Sequence, residues 1–303
     1  MFGTALFARM FTKNTAMTGN GPLFDAPSNY GLDYEDVSFE AADGVTLRGW
    51  LIPGRSDKVY IQSHFALFCN RAGYTNEGKG MFLKGYPHDV HFLRQAKYLH
   101  DAGYTVLMYD FRNHGESDTF RDGYVSQGKD ESQDVVAAVD YISKHPDYRN
   151  ADIGLLSICM GFGASIYAFG RDDGLRRYPQ IRCMYGIQPM DYGTWLRAMG
   201  LPQWLRADVL AHLEKASGLD FEKASWRPFV QNVSVPTKVV QNTNDGFLDK
   251  EFVDGVFADL AVDKEMKWIE LPDMKNRGMN RMAAYDWVGT ASDDVLAWFA
   301  RHL

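Results

Sequence analysis

The stretch Gly154-Leu155-Leu156-Ser157-Ile158-Cys159-Met160-Gly161-Phe162-Gly163-Ala164 decides the reading of this chain. An apolar run enters a small-x-Cys-x-Gly turn and continues directly into a second apolar run. The spacing predicts a strand, a sharp turn and a helix, with small residues at Ser157 and Gly161 because the turn brings the backbone close to its neighbours. Cys159 stands at the apex, at the amino end of the helix, where unsatisfied backbone NH groups and the helix dipole favour a thiolate. This is the plan of a nucleophile elbow. The plainer alternative is a buried structural cysteine, since free cysteine is among the most buried residue types. A dinucleotide-binding turn does not fit, because Gly161-x-Gly163 is followed by Ile166 where a third Gly or Ala belongs.

Outward from this turn the chain alternates short apolar runs with helical periods. Strands are expected at 37–41 and 46–52, joined in a hairpin by Asp43-Gly44, both of which tolerate positive φ, and then at 59–63, 105–110, 153–157, 181–187, 237–241 and 267–271. Between them Phe92, Leu93, Ala96, Leu99 and Ala102 recur at helical spacing and stop at Gly103; Val135, Val136, Val139 and Ile142 do so before Pro146. A last helix is expected from Thr290, with Asp293 completing a capping box and Val295, Leu296, Trp298 and Phe299 buried. Such alternation implies a mostly parallel sheet covered by helices on both faces.

Two segments stand apart. Residues 1–35 are rich in Gly, Asn, Pro and Ser and read as an arm with no regular element. Residues 189–235 crowd Trp195, Leu196, Met199, Leu201, Trp204, Leu205, Val209 and Leu210 into a helical stretch without a strand, a cap inserted over the strand ends. The core is then 36–188 and 236–303.

The 303 residues include 32 basic and 39 acidic side chains, a net charge of −7, which argues against a surface built for nucleic acid. At 46% hydrophobic and 23% charged the chain has the composition of a folded domain with a sizeable core. Cys69, Cys159 and Cys183 form no close pair, so neither a disulfide framework nor a zinc site is expected, and a reducing, cytoplasmic setting is. Arg9 interrupts the first apolar stretch too early for a signal peptide, and no run reaches the ~18 residues of a membrane span.

Several stretches together resemble the α/β-hydrolase superfamily, from the hairpin to the last helix. Val59-Tyr60-Ile61-Gln62-Ser63-His64-Phe65-Ala66 is similar to its strand ending in His-Gly. The run from Ala102 to Ser117, with Asp110-Phe111-Arg112-Asn113-His114-Gly115, is similar to its G-Y-x-V-x-x-x-D-x-R-x-H-G-x-S segment. Val235-Pro236 through Asn244-Asp245 looks like the strand and loop carrying the acid. The resemblance implies a three-layer α/β-hydrolase fold: a mostly parallel eight-stranded sheet, an antiparallel amino-terminal hairpin and a helical cap insertion. It also implies roles: Cys159 as nucleophile, like the cysteine of the dienelactone-hydrolase branch, Asp245 as acid, and the Met160 NH with an NH near Phe65 or Ala66 as oxyanion hole. Asp245 could equally be an ordinary turn residue in Asn244-Asp245-Gly246. Phe65 stands where Gly is usual and would narrow the pocket. Arg112 is read as a structural partner of Asp110, the alternative being that it faces a carboxylate substrate.

The histidine of the family's last loop is missing. Residues 272–285 read PDMKNRGMNRMAAY, with Arg277, Asn280 and Arg281 where it would fall, and only His302 follows, out of reach at the end of the terminal helix. Three accounts stand open. His64, at the carboxyl end of the strand beside the elbow, could act as base, or it could merely hold loop backbone; His114 is read as stabilising its own loop, and His88 and His91 are weaker choices. A prepared thiolate could need no base, which suits thioester transfer or lactone opening better than amide hydrolysis. Or the scaffold could be a lyase, isomerase, cyclase or non-catalytic binder.

The expected reaction is attack of Cys159 on an ester, thioester or lactone carbonyl, with hydrolysis or acyl transfer. The expected partner is a small-molecule carbonyl substrate, apolar or aromatic, facing Trp195, Met199, Trp204, Asn280 and Arg281. No cofactor, metal, nucleic acid or membrane partner is expected, and a homodimer is left open.

Overall fold

The structure is a computed structural model that describes residues 2–17, 21–76, 88–221, 225–274 and 276–303, without the side chains of 2–5 and 277. In chain order the elements are α1 (Phe2–Thr15), β1 (Glu35–Glu40), β2 (Thr46–Ile52), β3 (Lys58–Ser63), β4 (Gly73–Tyr74), β5 (Val90–His91), α2 (Leu93–Asp101), β6 (Thr105–Tyr109) and α3 (Glu131–Lys144). Then follow β7 (Asp152–Ile158), α4 (Met160–Gly170), β8 (Ile181–Ile187), α5 (Tyr192–Ala198), α6 (Gln203–Ser217), β9 (Thr237–Asn242), α7 (Lys250–Asp259), β10 (Lys264–Ile269), α8 (Arg277–Trp287) and α9 (Ser292–His302).

Eight strands form one sheet in the order β1-β2-β6-β3-β7-β8-β9-β10, and β4 pairs separately with β5. Only β2 runs antiparallel to its neighbours, β1 and β6; every other pair in the large sheet is parallel. Successive side chains of a strand point to opposite faces, so Ile61, Leu107 and Leu155 pack with α3 and α4 through Val139 and Phe162, while Tyr60, Val106 and Leu156 pack with α2 and α9 through Leu99 and Phe299. Both faces are dry, which is why the central strands read as continuous apolar runs. In the hairpin only Gly44 takes positive φ, at 84°, and the turn closes through Gly44 N–H on Ala41 O and Ala41 N–H on Val45 O.

Three sequence expectations give way. Residues 1–35 are not irregular throughout: α1 occupies Phe2–Thr15, and a 3₁₀ turn follows at Pro27–Tyr30. Ala8 and Phe11 of α1 join Leu196, Val209 and Leu213 in an apolar cluster, so the helix is held by burial that short-range composition does not reveal. The capping box at Thr290 does not form: Thr290 Oγ1 donates to Trp287 O within a 3₁₀ turn, and α9 begins at Ser292. Arg112 pairs with Asp134 at 2.7 Å and Asp43 at 2.6 Å, whereas Asp110 takes Arg71.

Register sets the site. β3, β7, β8 and β9 end beside one another, with Ser63 opposite Ser157, Ile158 opposite Ile187, and Ile187 opposite Val240. The next residues along each strand, His64, Cys159, Gln188 and the 243–247 loop, therefore gather at the carboxyl edge where open α/β sheets place their sites.

Candidate active site

Cys159 has φ 52° and ψ −104°, a conformation that costs a non-glycine residue on the order of 1–3 kcal/mol and persists only where the surroundings enforce it. They do so here. Cys159 N–H donates to Ile187 O at 2.8 Å, Gly163 N–H donates to Cys159 O at 3.1 Å, and Ser165 Oγ bridges Gly161 O and Ser157 Oγ at 2.9 Å each. A Cβ on Gly161 would lie 2.3 Å from Ser63 O, and one on Gly163 would lie 2.6 Å from Trp226 Nε1, so the elbow is pressed against β3 on one side and Trp226 on the other. The sulfur is left half-buried at the first turn of α4.

The group that meets it is Arg281. Its Nη2 donates to Cys159 Sγ at 3.5 Å and to Gln188 O at 2.8 Å, its Nη1 pairs with Asp245 Oδ2, and its Nε donates to the Tyr285 hydroxyl at 2.6 Å. The whole planar fork is used, as only arginine could use it. Asp245 is fixed in turn: Oδ1 accepts Phe247 N–H at 3.0 Å and Oδ2 accepts Gln241 Nε2 at 3.3 Å. Burial works against the charge on Arg281, but Asp245, then Tyr285 and Cys159, outweigh it and hold the guanidinium well above its ordinary value. Arg281 is permanently charged and cannot accept a proton.

Tyr285 completes the cluster. Arg281 and Tyr285 are four residues apart on α8, hence on one helix face. Tyr285 stacks on Phe65 with ring centres 4.3 Å apart and lines the same cavity as Cys159. Burial pushes its phenol well above the ordinary value; Arg281 pulls it down, and Cys159 and Asp245 add to the rise. The 272–285 segment is therefore not only a loop: α8 runs through its second half, capped where Asn276 Oδ1 accepts Gly278 N–H at 2.8 Å.

Beside the sulfur lies a cavity of about 90 Å³, lined by Phe65, Ala66, Leu67, Met190, Tyr192, Trp195, Phe247, Met282 and Tyr285, with Thr15, Gln127 and Asp191 as polar members. Thr15, from α1, is 3.1 Å from the Tyr192 hydroxyl, so the segment read as a loose arm supplies part of the roof. Of the residues expected at the oxyanion hole or the pocket, Phe65, Ala66, Trp195 and Arg281 line this cavity. Met160 is the first residue of α4, where an NH has no intrahelical acceptor.

Other expected site residues lie elsewhere. Met199 packs within the cap cluster and Trp204 is 59% exposed on the outer side of α6. Asn280 ties loops together, donating from Nδ2 to Asn244 O at 2.7 Å and accepting Met274 N–H on Oδ1 at 2.8 Å. The Arg277 side chain is outside the described set. His88 and His91 sit near Asp286 and Asp25 and do not line the cavity.

His64 is not placed to serve as base. Its Nε2 accepts Phe111 N–H at 3.1 Å and its Nδ1 donates to Phe65 O at 2.7 Å, so both ring nitrogens are committed to backbone. Burial, then the neighbouring His114, drives its pKa well below the ordinary value. It is a buried brace for the loop after β3. Substituting His64→Gln is expected to lower the melting temperature by several degrees, as loss of a buried hydrogen bond of about 1–2 kcal/mol does, while iodoacetamide alkylates Cys159 within about threefold of the wild-type rate. A hundredfold loss of alkylation in a folded protein would restore the histidine to the chemistry.

Tyr285 is not among the expected site residues. The signal was present as Arg-x-x-x-Tyr, which has meaning only once the segment is known to be helical. Among the described residues no group of three His, Cys, Asp or Glu side chains could hold a metal ion, and no helix is long and apolar enough to cross a membrane.

No family model matches the chain. The polyketide transferase GrgF of a Penicillium species is 25% identical over 209 residues, which span 68% of this chain and 60% of that protein. A polyketide transferase of Gibberella fujikuroi is 27% identical over 231 residues, 68% of this chain and 64% of its own length. The chain thus matches less than two thirds of these relatives. Among solved structures, the Pyrococcus furiosus esterase Pf2001 superposes with a TM-score of 0.66 at 20% identity, over 95% of this chain and 99% of that one. The α/β hydrolase GrgF gives 0.60 at 18%, over 89% and 97%, and a dienelactone hydrolase of Anabaena variabilis gives 0.54 at 13%, over 90% and 99%. The fold is that of the α/β hydrolases.

Proposed function

We propose that this chain is an acyl-transfer enzyme in which the Cys159 thiolate attacks an ester, thioester or lactone carbonyl. One observation carries the reading: the elbow sulfur faces Arg281, itself backed by Asp245, where a histidine would otherwise stand. A histidine would take a proton from the nucleophile; a guanidinium cannot, but it favours a nucleophile that is already an anion. Cysteine at the elbow and arginine at position 281 therefore belong together. The names of the relatives, polyketide transferases among the curated proteins and an esterase among the structures, support acyl chemistry.

In the first half-reaction the sulfur adds to the carbonyl carbon, the oxyanion is received by the Met160 NH and an NH at Phe65 or Ala66, and the leaving group departs. A thioester suits this site best, because its leaving thiolate is as stable as the attacking one. The rings of Phe65, Tyr192, Trp195 and Phe247 make the cavity suited to an apolar or aromatic acyl group. Incubating the protein with an activated benzoyl or hexanoyl thioester should add one acyl mass to the intact chain, located to Cys159 by peptide mapping and absent from Cys159→Ala. An unmodified wild-type mass, or equal labelling of the alanine variant, would remove the basis of the reading.

A further inference from the structure

A transfer that begins from a thiolate still has two protons to account for. A leaving alkoxide or basic thiolate must gain one, and an incoming nucleophile must lose one before the acyl group moves on. Arg281 cannot exchange protons, Asp245 is paired to Arg281, and both nitrogens of His64 are engaged with backbone. Asp191, on the cavity wall, is also committed: Oδ1 caps α5 by accepting Thr194 N–H at 2.7 Å, and Oδ2 accepts Ser225 Oγ at 2.6 Å. Tyr285 is differently placed. Its oxygen accepts from Arg281 Nε at 2.6 Å, so its own O–H points away from the guanidinium, and it lines the same cavity as Cys159, whose sulfur takes Nη2 of that same guanidinium.

Resting on the reading of Cys159 as nucleophile, we propose that Tyr285 is the proton carrier of this site, an acid in the first half-reaction and a base in the second. When the sulfur adds to the carbonyl carbon and the bond to the leaving group breaks, the electron pair goes to the leaving atom, which takes the phenolic proton. The phenolate that remains keeps the hydrogen bond from Arg281 Nε. In the second step an incoming alcohol, amine, thiol or water gives its proton to the phenolate oxygen as it attacks the acyl carbon. The C–S bond breaks with its electrons returning to sulfur, and phenol and thiolate are both restored. The sum is RCO–X + H–Y → RCO–Y + H–X.

The charges favour this order. In the resting site burial keeps the phenol protonated, Arg281 acts in the opposite sense, and the thiolate of the proposed mechanism adds to the rise. Acylation removes the sulfur's charge and leaves Arg281 acting on the phenol, so the tyrosine becomes a stronger acid just when its proton is needed. Histidine's two duties are thereby divided, charge stabilisation to Arg281 and proton exchange to Tyr285.

The test is the dependence of acylation on the leaving group, followed by the mass of Cys159 for p-nitrophenyl, phenyl and ethyl esters of one acid. With Tyr285→Phe, which keeps the ring against Phe65, the p-nitrophenyl ester should lose less than about tenfold and the ethyl ester more than about a hundredfold, the range of a general acid. A merely structural tyrosine would cost every ester the same factor, and that result, or an undiminished ethyl-ester rate, overturns the proposal. Failure of even the p-nitrophenyl ester to label wild-type Cys159 overturns the nucleophile reading and this proposal with it. If Tyr285→Phe does not fold, a 3-fluorotyrosine at 285 serves: a more acidic phenol should speed acylation by the ethyl ester and slow discharge by an alcohol, and an equal change in both steps, or none, refutes the role.

Discussion

Arg281→Gln should reduce alkylation of Cys159 by iodoacetamide on the order of a hundredfold and abolish acyl transfer. A unit charge pair at about 4 Å in a partly buried site attracts by about 4 kcal/mol, of which solvent at the half-exposed sulfur removes a share. The same change strands Asp245, whose partner it removes in a buried position, and unfolding should become easier by about 3–5 kcal/mol. Reactivity and stability can be separated. Arg281→Gln combined with Asp245→Asn should recover much of the stability, read by chemical denaturation, and none of the alkylation rate. Arg281→Lys keeps a charge but cannot reach Tyr285, Asp245, Gln188 and the sulfur together, so it too should fall well below wild type. Full alkylation in the folded double variant would show that the guanidinium does not govern the sulfur.

Cys159→Ser should be more severe still for turnover, with acyl transfer slower by about a thousandfold or more. In the histidine-bearing members of this fold a serine is the ordinary nucleophile, so the substitution looks mild. Here it is not, because a hydroxyl must lose its proton as it attacks. The resting site offers a guanidinium, a protonated phenol and a histidine with no free nitrogen. Acylation of the serine variant by the thioester that labels wild type, followed by intact mass, measures the loss. A rate within tenfold of wild type would mean that a base operates near the elbow.

The sheet was legible because burial on both faces writes itself as β-branched runs: β2 and β8 have the bounds the pattern implied, and the other expected strands differ by a few residues at their ends. The elbow was legible because its strain requires small residues at fixed offsets, and Gly161 shows why, with no room for a Cβ against Ser63. What could not be read was direction. His64 directly follows β3, yet the use of its ring nitrogens depends on Phe111, 47 residues later. Trp204 and Trp195 sit in the same apolar stripe, and only the path of α6 turns one to solvent while α5 turns the other to the cavity. Arg281 is legible as a pocket residue where the histidine would fall; the helix that aims it, and Tyr285 one turn on, is not, because family position gives 272–285 as a loop and only its own period gives a helix.

The bond between Thr15 and Tyr192 joins residues 177 positions apart. The roof of the cavity is thus among the most non-local contacts in the molecule, and the pocket is complete only after the first helix has docked on the cap. Docking and occupancy are then linked by mass action: a molecule that fills the cavity touches Thr15 and holds the helix down, and a helix that lifts away weakens the grip on that molecule. Amide exchange along α1 becomes a gauge of whether the cavity is filled.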